Sequence, residues 1–119
     1  MPPQPATKAD FFHDAVQAAV DRIGRQCPDA LVGLTVGIED VPHFDVAWSG
    51  AQVPLAAALE GGTDRPGQVV VYRRPIEHRA MSRRGLRILV YRTIVEQLSA
   101  VTGRSVAEID PEGAGDEED

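Results

Sequence analysis

The sequence predicts a two-layer α/β domain of α+β character, with a small sheet covered by an N-terminal helix and a long C-terminal helix. Three observations carry that prediction. Residues 8–26 form an amphipathic stretch, residues 31–38 alternate strictly and are echoed by a β-branched run at 68–72, and residues 82–102 hold a long apolar period. At 119 residues and 12.8 kDa, the chain has room for one modest core. The domain is expected over residues 7–110, with flexible tails at 1–6 and 111–119.

The first helix opens on Thr7, with Asp10 three residues later, an approximate capping box in which side-chain oxygens and backbone amides satisfy each other. Phe12, Ala15, Val16, Ala19, Val20 and Ile23 form its apolar stripe. Pro28 disfavours helical geometry at Cys27 and ends it. In 31–38, Val32, Leu34, Val36 and Ile38 point one way and Gly33, Thr35 and Gly37 the other, which only a strand achieves. Residues 42–68 are punctuated by Gly and Pro; Val46-Ala47-Trp48 reads as a short strand and 55–60 as a helical turn. A second strand over 68–72 is stopped by Pro75. The long helix takes Ser82 as its cap and Gly103 just past its end, and Ser105 with Glu108 starts a short final helix.

The net charge of −6 is unevenly placed. Residues 1–109 hold as many acidic as basic side chains, and the excess lies in Asp110, Glu112, Asp116, Glu117, Glu118 and Asp119. A neutral folded part therefore precedes an acidic tail, whose Gly, Glu and Asp content predicts disorder. A lone Cys27 excludes an intrachain disulfide and a CxxC site. The N-terminus lacks the pattern of a signal peptide, and no apolar run approaches the roughly 18 residues of a membrane span. A cytoplasmic protein is expected.

On the long helix, Leu86, Leu89, Val90, Ile94, Leu98 and Val101 cover a broad apolar arc at about 100° per residue. Arg92, Glu96 and Ser99 share a narrow polar arc with Val95 at its edge, and Arg92 and Glu96 are spaced to pair.

Three stretches then give the chain a likeness. Val36-Gly37-Ile38-Glu39-Asp40-Val41-Pro42 closes the first strand; Trp48-Ser49-Gly50 precedes Val53-Pro54-Leu55; and Val69-Val70-Val71-Tyr72-Arg73-Arg74-Pro75-Ile76-Glu77 precedes the long helix. In order and spacing they resemble the small bacterial zincin-like metallopeptidases, a minimal zincin family, over about residues 11–110. The resemblance implies a small mixed sheet and a zinc site built on His-Glu-x-x-His-x-x-Gly-x-x-Asp. Ligands four apart on a helix point at one metal, and the Glu beside the first His is the general base.

Laid on this chain, that motif falls on Val95, Glu96, Ser99, Thr102 and Ser105. Only Glu96 matches. A register one residue later places the ligand positions on Glu96, Ala100 and Val106. Neither register offers the roughly three His, Cys or carboxylate ligands that zinc requires. His13, His43, His78 and Cys27 fall in separate elements without ligand spacing, and Ser49 reads as a turn residue rather than a nucleophile.

The expected function is therefore that of a peptidase relative without zinc or hydrolysis, kept for a binding or regulatory role with an unknown protein or peptide. It would use the vestigial cleft beside Val95, Glu96 and Ser99 or the arginine-rich surface, and no cofactor; Val95, Ser99 and Ser105 are the vestigial ligand positions. One alternative is a cryptic hydrolase with Glu96 as its base. A second is binding through Arg73, Arg74, Arg79, Arg83, Arg84, Arg87 and Arg92, opposed by Glu77 alone. Phosphates would be met there with steep salt dependence. The acidic tail and the lack of a nucleic-acid signature favour an acidic protein partner over nucleic acid.

Overall fold

The computed structural model describes residues 7–42 and 53–113. The short strand expected at 46–48, His43, Ser49 and most of the acidic tail lie outside the described residues.

Helix α1 (Lys8–Gln26) opens as its sequence requires. Thr7 Oγ1 accepts from the Asp10 amide at 3.0 Å, and the Asp10 carboxylate accepts from the Thr7 amide at 3.1 Å. These bonds hold the Asp10 carboxyl below the usual carboxylate range. At the other end the Cys27 amide donates to Ile23 O at 2.7 Å, and Pro28 redirects the chain into a single 3-10 turn over Pro28–Leu31.

The first strand begins later than the alternation implied. β1 covers Leu34–Glu39, because Val32 and Gly33 form a turn in which Gly33 takes φ 73°. Val32 is consequently 75% exposed and does not share the buried face of Leu34, Val36 and Ile38. The helical turn expected at 55–60 is instead strand β2 (Ala56–Leu59). Alanine has the highest helix propensity, but a four-residue stretch cannot repay helix nucleation, whereas pairing to a neighbouring strand satisfies its backbone. β3 spans Gly67–Tyr72, and the chain passes directly into a short helix, α2 (Arg73–Arg79), which the sequence reading did not anticipate. Pro75 sits in its first turn, where a missing amide hydrogen leaves no helix bond unmade.

The sheet is mixed, in the order β1-β3-β2. β1 runs parallel to β3, with Leu34 opposite Gly67 and Glu39 opposite Tyr72; β2 runs antiparallel, with Ala56 opposite Val71 and Leu59 opposite Gln68. Gly67 is required where the strands meet, since a Cβ there would lie 2.5 Å from Leu34 Cδ2. Val36, Ile38, Val69, Val71, Ala56 and Ala58 face the helices, while Thr35, Gln68 and Leu59 face solvent.

Helix α3 (Arg83–Thr102) is capped by Ser82, whose Oγ accepts from the Gly85 amide, and stops at Gly103 in the left-handed region at φ 79°. It packs on α1, β2, β3, α2 and the final helix α4 (Val106–Ile109). Being surrounded on several sides, it buries more of its circumference than one apolar arc. Tyr91, Thr93 and Val95 are buried together with Leu86, Leu89, Val90, Ile94 and Leu98.

Candidate functional site

The five motif positions on α3 and the turn after it are placed in different surroundings. Val95 does not edge a polar arc; it is 1% exposed within the core that includes Ile23, Ile94, Leu98 and Ile109. A helix enclosed by α1, the sheet and α4 has little room for the polar arc that a single-faced helix would show. Glu96, one residue on, points outward at 58% side-chain exposure and pairs loosely with Arg92, Oε1 to Nε 3.6 Å. An exposed pair of this kind is worth about 0.3–0.5 kcal/mol.

The three hydroxyls that follow are occupied by the end of the helix. Ser99 Oγ donates to Arg104 O at 2.7 Å. Thr102 Oγ1 donates to Leu98 O at 2.7 Å and accepts from the Arg104 amide at 3.2 Å. Ser105 Oγ accepts from the Glu108 amide at 3.1 Å and so caps α4. Orphan backbone groups at a helix end need such partners. Each hydroxyl thus closes α3 or opens α4.

Glu96 borders a groove of about 330 Å³ between α3 and β2, with Leu55, Ala56, Arg79, Arg92 and Thr93 among its walls. Among the described residues β2 is an edge strand of the three-stranded sheet, with β3 on one side. Ser99 and Val95 lie outside this groove.

With this geometry in place, the comparison with known families becomes informative. Residues 16–115 match the family model described as zincin-like metallopeptidase. The chain belongs to that family. Among curated proteins, none matches it.

The zincin-like match bears out the likeness seen in the three sequence stretches, and the mixed sheet with two main helices bears out the α+β fold. The family name implies zinc. A structural or catalytic zinc takes about three protein ligands. Here the first ligand position is a core valine and the second a serine whose hydroxyl is bonded to a backbone carbonyl. Among the described residues no group of three or more His, Cys, Asp or Glu side chains converges. The described residues at the motif positions do not form a ligand set for the ion.

The basic segment is also divided by the fold. Arg73 is 16% exposed and clamped, its Nε donating to Asp40 Oδ1 at 3.0 Å and one Nη to Glu77 at 3.2 Å. Arg73 in turn holds the Asp40 carboxyl below the usual range. Arg92 faces Glu96. Arg74 is exposed beside a broad depression that also borders Lys8, His78 and Arg79. Arg84 is exposed on the first turn of α3. Arg83 and Arg87 stack on the Phe11 ring of α1, at 5.0 and 4.9 Å from its centroid. The seven arginines are therefore not one uniform surface.

His13 is exposed on α1, His78 is exposed on α2, and Cys27 is half-buried as the α1 terminus. Sequence reasoning missed a buried polar junction that fastens the C-terminus. Tyr91 OH donates to Asp110 Oδ1 at 2.7 Å and accepts from Gln26 Nε2 at 2.9 Å; Gln26 also reaches Ile109 O. Burial raises the Tyr91 pKa above its ordinary value. Asp110, counted by charge with the acidic tail, is 6% exposed, and Glu112 meets Arg22 at 3.2 Å. No periodicity announces this junction, because its partners lie more than 60 residues apart for the Gln26–Tyr91 bond.

Proposed function

We propose that this zincin-like chain neither holds zinc nor hydrolyses peptides, and serves as a binding or regulatory protein for a peptide segment of a partner. The observation that carries the reading is the pair of ligand positions: Val95 lies in the core and Ser99 is bonded to Arg104 O. Neither side chain offers a ligand of the kind zinc takes. Against a hydrolytic role for Glu96 stands its setting, since its carboxylate faces Arg92 and solvent.

The binding site under this reading is the groove beside Glu96. The outer edge of β2 presents backbone amides and carbonyls to which an extended peptide can add as a further strand. Arg79 and Arg92 supply charge at the walls, and Leu55 and Ala56 an apolar surface. Such a partner would meet a reader of peptides rather than a cutter of them.

Two measurements on the purified, tag-free chain test this. Incubation with an unbiased peptide mixture, with and without added zinc, is expected to give no cleavage products by mass spectrometry. Backbone amide titration with a peptide pool is expected to perturb residues 55–59 and 92–97. Cleavage that vanishes in Glu96→Gln, with the fold intact, would instead establish an enzyme.

A further inference from the structure

A second surface lies on the other side of α3. Arg87 and Glu96 are nine residues apart, so at about 100° per residue they project from opposite sides of the helix. On the Arg87 side, α1 and α3 enclose a small groove of about 160 Å³ bordered by Ala15, Ala18, Ile88, Tyr91, Arg22 and Arg87. Its floor is apolar and its rim cationic. Arg83 extends the rim by one helical turn, since Arg83 and Arg87 share the Phe11 ring.

The two guanidiniums are fixed by their ring contacts and, among the described residues, meet no carboxylate. Stacking on an aromatic face leaves the guanidinium edge donors available to an acceptor. At the other end of the groove the chain itself displays the matching chemistry. Arg22 lies over the Tyr91 ring at 5.2 Å and receives the Glu112 carboxylate at 3.2 Å. A carboxylate is thus already seated on one of three arginines, and two more await theirs.

We infer that the α1–α3 groove docks an acidic segment of a partner protein, with carboxylates on Arg83 and Arg87 and a small apolar side chain over Ala15, Ala18 and Ile88. An acidic peptide fits better than nucleic acid. The groove has an apolar floor, which a peptide side chain can cover and phosphates do not use. This surface is independent of the Glu96 groove.

The test uses the full chain and a fluorescein-labelled decapeptide of glutamates with one central leucine, followed by anisotropy at about 50 mM salt and again at about 200 mM. Binding should weaken at least tenfold in the Arg83→Ala/Arg87→Ala pair, on the order of the loss of two charge contacts. Ala18→Glu, at an exposed helical site, should block the groove with its own carboxylate and abolish binding. Arg65→Ala, an exposed arginine elsewhere, should leave affinity unchanged. Circular dichroism confirms that each variant is folded, and Ala18→Glu alone decides the matter if the arginine pair does not fold. Absence of binding at the lower salt overturns the inference, as does equal loss in Arg65→Ala or none in the groove variants. A mixed single-stranded oligonucleotide that binds more tightly than the peptide, with the same variant pattern, overturns it in favour of nucleic acid.

Discussion

The exit of β3 keeps the zincin-like pattern, whereas the last turns of α3 hold the positions of the metal motif without its ligands. At the strand exit, Arg73 joins Asp40 from the end of β1 to Glu77 of α2, so these three polar residues of the pattern are engaged with one another. On α3, the positions of the metal motif hold a core valine, a solvent-facing glutamate and three hydroxyls bonded to the backbone. The contrast separates two meanings of a family signature. The strand-exit residues hold β1, β3 and α2 together whether or not a metal is bound. They report the fold, and only the α3 positions report the chemistry.

Rebuilding the metal motif should give the largest effect. Val95→His with Ser99→His puts one imidazole into the core and removes the Ser99–Arg104 bond. We expect a loss of about 3–5 kcal/mol in denaturant unfolding, from burial of an unpaired polar ring and overpacking. A double variant that keeps its stability and binds zinc would show that the α3 turn is still shaped for a metal.

Removing the strand-exit clamp comes next. Arg73→Ala leaves the Asp40 and Glu77 carboxylates facing each other's surroundings without their shared cation, and should lower the thermal midpoint by several degrees. Arg92→Ala, which breaks only an exposed pair, should shift it by no more than about 1 °C. Equal shifts would erase the distinction between the two regions.

The pH profile of the clamp follows from the direction of the carboxyl shifts. Asp40 and Asp10 both titrate below 3.8 in the folded chain, so each adds stability above that value that is lost as pH falls through the folded pKa. The acid limb of a stability profile should be shallower in Arg73→Ala. Burial raises Tyr72 and Tyr91 above 10.0, so their contribution is present below that pH and is lost as pH rises through their folded values. Tyr91→Phe should flatten the alkaline limb.

Ser99→Ala should cost about 0.5–1.5 kcal/mol for one lost hydrogen bond, more than the exposed Arg92–Glu96 pair and less than the rebuilt metal motif. Amide exchange should rise at Gly103 and Arg104 and remain unchanged in β3.

Much of this architecture is written locally. The capping bonds of Thr7, Ser82 and Ser105, and the left-handed Gly103, depend on residues three or four apart, and each appears where the sequence put it. What required the third dimension is equally specific. Ala56–Leu59 has helical composition but takes its conformation from β3. Val95 has the helical phase of a boundary residue but is enclosed because α3 is central. Asp110 has the charge of a tail residue but accepts a hydrogen bond from Tyr91. At the site, the missing ligands were legible from residue identity alone. That Ser99 lies outside the groove beside Glu96 was not.

The most direct measurement is the zinc content of the purified, tag-free protein after equilibration with zinc against a chelator of known affinity. The account predicts far less than one zinc per chain at micromolar free zinc, and no change in Glu96→Gln. One tightly held ion per chain, lost on substitution of Glu96, would contradict it.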